Sequence, residues 1–95
     1  MKAFISQPMR GKTDDEIKTE RQKMISVLKE QCGDNVEILD SFFEDFNGNP
    51  LAFLAKSIEI LSKADVAIFA AGWENARGCR IEHECAMQYG VWVLE

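Results

Sequence analysis

The segment Gly72–Gly90, GWENARGCRIEHECAMQYG, contains one carboxylate in an unusual place. Read as a loop entering a short helix at about 100° per residue, it sets Cys79, Ile81, Cys85, Ala86 and Tyr89 on one side. Arg80, Glu84 and Gln88 fall on the other side. Glu84 is then a solvated carboxylate with Arg80, four residues earlier, as its ion-pair partner. Glu82 lies inside the apolar stripe. A carboxylate there must be paired, protonated or turned into a pocket. In a pocket it can serve as nucleophile or general base. Tied to Arg77 or Arg10 it would be structural instead.

A second unusual segment is SQPMRGKT, Ser6–Thr13. It offers Ser6, Gln7, Pro8, Met9, Arg10 and Gly11 just before a helix N-terminus, where free N–H groups and an arginine suit a phosphate or carboxylate. An ordinary surface turn with solvated charges is the plain alternative. The spacing is neither a P-loop nor a G-x-G-x-x-G turn. Trp73, Phe42, Phe43 and Phe46 could stack on a ring, or serve as core or subunit contacts. Cys79, His83 and Cys85 match no zinc spacing, so no metal is expected, the cysteines read as structural and the histidine as a surface residue. With one histidine no Ser-His-Asp arrangement assembles.

The elements that would carry these loops alternate. KAFIS, Lys2–Ser6, is a first strand. Thr13 and Glu16 form a capping-box pattern opening a helix that runs to about Cys32 and stops at Gly33. VEIL, Val36–Leu39, is a second strand. Asn49 as N-cap and Pro50 at the first position start another helix, to about Ala64. VAIFA, Val66–Ala70, is a buried third strand, and VWVL, Val91–Leu94, a last one. This β-α-β-α-β-α-β order predicts an α/β three-layer sandwich with a small parallel sheet, flavodoxin- or Rossmann-like, in one domain over residues 1–95. Ligands bind such sheets at the carboxyl ends of the strands where the order reverses, here between the first and third strands.

The bulk numbers narrow the function. The chain has 95 residues, with 11 basic against 16 acidic and a net charge of −5. That argues against binding a nucleic-acid polymer. Three cysteines without a C-x-x-C pair predict a reducing, cytoplasmic setting rather than a disulfide framework. No signal peptide or membrane span is expected. A core this small favours a homo-oligomer, with Phe42, Phe43 or Phe46 at a subunit contact.

AFISQPMRG and KADVAIFAAGWENARGCRIEHECAMQYGVWVL together resemble the nucleoside 2-deoxyribosyltransferase superfamily, which includes the deoxynucleoside 5'-monophosphate N-glycosidases. The likeness is to its short bacterial and phage members. The resemblance implies a nucleoside deoxyribosyltransferase-like fold, a small-molecule nucleotide or nucleoside as substrate, and no cofactor. Glu82, four positions after Gly78, falls at the family's nucleophile. Arg10 and Gly11 match the glycosidase branch, whose first loop holds the 5'-phosphate. Two positions depart. Ser57 stands where the family has an Asp that handles the proton on the leaving base, and Ala76 where the glycosidase branch has a phosphate-binding Ser. The implied function is cleavage or transfer at an N-glycosidic bond through a Glu nucleophile. The rivals are a nucleotide-derivative binding protein of the same fold without catalysis and, more weakly, an oligomerising structural protein that binds no ligand.

Overall fold

The computed structural model describes residues 1–39 and 49–95. Its order is β1 (Lys2–Ser6), α1 (Asp14–Cys32), β2 (Glu37–Ile38), α2 (Pro50–Leu61), β3 (Val66–Phe69), a 3-10 turn (Trp73–Asn75), α3 (Arg77–Gln88) and β4 (Trp92–Leu94). The sheet is parallel throughout, in the order β2-β1-β3-β4. The strand order therefore reverses between β1 and β3, as expected for an α/β sandwich wound in both directions. Phe42, Phe43 and Phe46, and the subunit contact expected of them, lie outside the described residues.

Side-chain alternation divides the core in two. On one face Ala3, Ile5, Val66 and Ile68 pack with Met24 and Leu28 of α1. On the other, Phe4, Ala67 and Phe69 pack with Leu61 of α2 and Ala86 of α3. Phe4, Leu28 and Val66 are enclosed completely, a gain of about 1.5–3 kcal/mol for each side chain. The central pair is in register from Ala3 on Val66 to Ser6 on Phe69. That register brings both loops to one edge. Asp65 pins the opposite edge: its carboxylate accepts from the Lys2 backbone N–H at 2.7 Å, and its carbonyl accepts from Trp92 at 3.2 Å.

Local signals explain the helix limits. Thr13 and Glu16 close a reciprocal capping box on α1, and the Gly33 N–H bonds the Lys29 carbonyl at its end. Asn49 Oδ1 accepts from Ala52 N–H at 2.8 Å, with Pro50 at the first position of α2. α2 ends at Leu61, short of Ala64, because Lys63 and Ala64 turn back onto Ile60 and Leu61 in i→i+3 bonds. β4 starts at Trp92, one residue late, because the Val91 N–H bonds Ala86 O at the end of α3. β2 and β3 are likewise shorter than the apolar runs that announce them: Val36 N–H turns back to Gly33, and Ala70 follows the end of β3 although its N–H still reaches Ser6 O. Among the described residues no helix is long and apolar enough to cross a membrane.

Candidate active site

β1 ends at Ser6, whose carbonyl accepts from Ala70 N–H at 2.9 Å just beyond β3. The Ser6 side chain is thus fixed at the carboxyl edge of the two central strands. α3 returns across the same edge and brings Glu82 to it. Ser6 Oγ donates to Glu82 Oε1 at 2.6 Å. Both residues are buried, at 2% and 8% exposure. Among the described residues no cation pairs with Glu82, neither Arg77 nor Arg10. Burial pushes its carboxyl from the usual 4.5 up to about 7, against the opposing pull of the Ser6 hydroxyl. Burial also pushes the Cys79 thiol up, with the Ser6 hydroxyl opposing and the Glu82 carboxyl adding to the rise.

These groups line a cleft of about 1000 Å³. Ser6, Gln7, Pro8 and Met9 form one wall. Asn49, Leu51, Phe53, Leu54 and Ser57 of the α2 arm form another. Ala76, Arg77, Gly78, Cys79, Ile81 and Glu82 close it. Among the described residues the lining is mainly apolar, with one carboxylate, one guanidinium and a few hydroxyl and amide groups, the make-up of a small-molecule site. The only enclosed side-chain polar atom without a partner, among the described residues, is Gln7 Oε1. Among the described residues Glu82 Oε2 has no hydrogen-bond partner, and it is not enclosed, so it is open to the cleft.

Other residues singled out in the sequence lie elsewhere. Gln7 reaches the cleft but spends its amide N–H groups on Ile17 O at 3.1 Å and Glu20 Oε1 at 3.0 Å, which ties the first loop to α1. Glu20 also receives Lys12 Nζ at 3.1 Å. Arg10 and Gly11 form an exposed turn outside the cleft lining, Gly11 at a φ of +80° that favours glycine. Trp73 is outside the lining too. Its indole stacks on His83 with ring centres 3.9 Å and planes 9° apart, and both contact Phe69. His83 is accordingly not a surface residue: it is half-buried, and its Nε2 meets the Glu95 carboxylate. Glu84 is exposed but accepts from Gln88 Nε2 at 3.1 Å in place of pairing with Arg80. Tyr89, placed on the apolar side of the wheel, is 86% exposed because α3 has already ended. Among the described residues no three His, Cys, Asp or Glu side chains gather as a metal site.

Of the α2 wall the sequence marks Ser57 alone, through the resemblance; the apolar part of that wall is not marked as a binding surface. Its signal was present in PLAFLAKSIEIL, where Leu51, Phe53 and Leu54 widen the apolar arc beyond the Ile58–Leu61 stripe that packs on the sheet. Leu51 stays 74% exposed.

Compared with known proteins, the chain matches over residues 1–95 the family described as "Domain of unknown function (DUF4406)". It belongs to that family. No curated protein and no solved structure matches it.

Proposed function

We propose that the protein cleaves or transfers at the N-glycosidic bond of a nucleotide or nucleoside, with Glu82 as nucleophile. The observation that carries this reading is the state of Glu82. It is a buried carboxyl with no cationic partner among the described residues, with one oxygen held by Ser6 and the other open to a cleft at the switch point of a parallel sheet. Removing it from water costs stability, so its position calls for a use. An acid group at about 7 is half ionised near neutrality, which keeps a nucleophilic carboxylate available there.

The chemistry follows the logic of a retaining glycosidase. A Glu82 oxygen attacks the anomeric carbon, and the carbon–nitrogen bond breaks with its electron pair going to the base. The base takes a proton from water. Water or a second base then attacks the same carbon and frees the carboxylate. The apolar walls from Phe53, Leu51 and Ile81 suit a planar base. Incubation with nucleosides and 5'-monophosphates, with free base measured by chromatography, tests the reading.

A second reading rests on Ser57, which is 3% exposed and lines the cleft. A hydroxyl there is a poorer proton donor to a leaving base than a carboxyl. That favours a nucleotide-derivative binding protein with little or no turnover. Calorimetry that detects binding of a nucleotide the protein never cleaves would select it.

A further inference from the structure

We propose that Ser6 is the positioning residue that makes Glu82 Oε2, and not Oε1, the attacking oxygen. The inference rests on the proposed function for the identity of the electrophile and on the structure for everything else. Ser6 ends a central strand. Its backbone is held by the register on Phe69 and by the Ala70 N–H, so its hydroxyl has a fixed origin. Among the described residues that hydroxyl makes the one side-chain hydrogen bond to the Glu82 carboxyl, at 2.6 Å to Oε1. A carboxylate held through one oxygen loses its rotational freedom and presents the other. Oε2 is the oxygen open to the cleft.

The consequence runs through both halves of the reaction. Oε2 forms the bond to the anomeric carbon as the carbon–nitrogen bond breaks and the base leaves with the electron pair. Oε1 becomes the carbonyl oxygen of the glycosyl ester and keeps the Ser6 O–H. Water then attacks the anomeric carbon, and the carbon–Oε2 bond breaks with its pair returning to the carboxylate. The proton from water goes to solvent. Ser6 donates throughout and is not consumed. Donation to a carboxylate favours the charged form, so Ser6 also holds Glu82 below the value burial alone would impose.

The test is a carbon-13 NMR titration of the full chain labelled at its glutamate carboxyls, with Glu82 assigned by its loss in Glu82→Gln. Ser6→Ala should raise the Glu82 midpoint by about 1 pH unit, the weight of one hydrogen bond to a charged group. Ser6→Thr, which keeps the hydroxyl, should restore it. The rising limb of base release against pH should move by the same amount. An unchanged Glu82 midpoint in folded Ser6→Ala overturns the proposal. Should Ser6→Ala fail to fold, the wild type decides: the Ser6 Cβ resonance must titrate with the Glu82 midpoint and stop doing so in Glu82→Gln. A Ser6 resonance that ignores Glu82 overturns the proposal. Because the titration needs no substrate, the expected shifts in a protein that releases no base would remove the glycosyl chemistry and leave the control of Glu82 by Ser6 standing.

Discussion

The indole of Trp73 lies flat on the imidazole of His83, with ring centres 3.9 Å apart. The contact joins the turn after β3 to the middle of α3, one residue past Glu82. It therefore helps hold the helix that carries the candidate nucleophile. Trp73→Ala removes this stack and the packing on Phe69, and should cost about 2–3 kcal/mol of stability. Urea denaturation measures it. A base-stacking Trp73 behaves in the opposite way: its loss would leave the midpoint alone and weaken nucleoside binding.

Glu82 makes stability depend on pH. Its carboxyl is raised from the usual 4.5 to about 7 in the folded chain. The folded state therefore keeps a proton that the unfolded chain has released. That contribution is complete below 4.5 and is lost as pH rises through about 7. Relative to Glu82→Gln, whose side chain does not titrate, the wild type should lose about 3 kcal/mol between about pH 4 and pH 8. Denaturation midpoints of the two proteins at both pH values check it. A parallel pH response would mean that Glu82 titrates as an ordinary exposed carboxylate.

Much of this was legible in the sequence, because it is written in local patterns. The Thr13–Glu16 box, Asn49-Pro50 and Gly33 mark helix limits with groups only a few residues apart. The inward face of Glu82 follows from the period of α3. What stayed hidden depends on contacts between distant segments. The Ser6 hydroxyl meets Glu82 across 76 positions, and only the parallel register of β1 on β3 brings them together. Trp73 and His83 face each other because Gly72, at a φ of +88°, turns the chain into a 3-10 turn, which no periodicity announces. Strand ends shifted for the same kind of reason: Val91 gives its N–H to the end of α3 and not to the sheet.

The arginines give a third prediction. Arg10 is exposed beside the first helix, while Arg77 lines the cleft in the opening turn of α3, which has no side-chain cap. A 5'-phosphate should then be read by Arg77. A 5'-monophosphate should bind at least about tenfold more tightly than its nucleoside, a difference of about 1.4 kcal/mol. Arg77→Ala should erase that preference, and Arg10→Ala should leave most of it. Calorimetric titration of both variants checks the order, and a reversed order would put the phosphate on the first loop.

The central claim is that Glu82 breaks an N-glycosidic bond, and release of free base measures it most directly. Wild type and Glu82→Gln are each incubated with the same panel of nucleosides and 5'-monophosphates, and the free base is quantified by chromatography. The wild type should release base from at least one compound. Glu82→Gln should release none while its denaturation midpoint at neutral pH stays equal or higher, because the substitution removes a buried acid and keeps an acceptor for Ser6. Base release by Glu82→Gln at the wild-type rate, or none by the wild type from any compound, would contradict it.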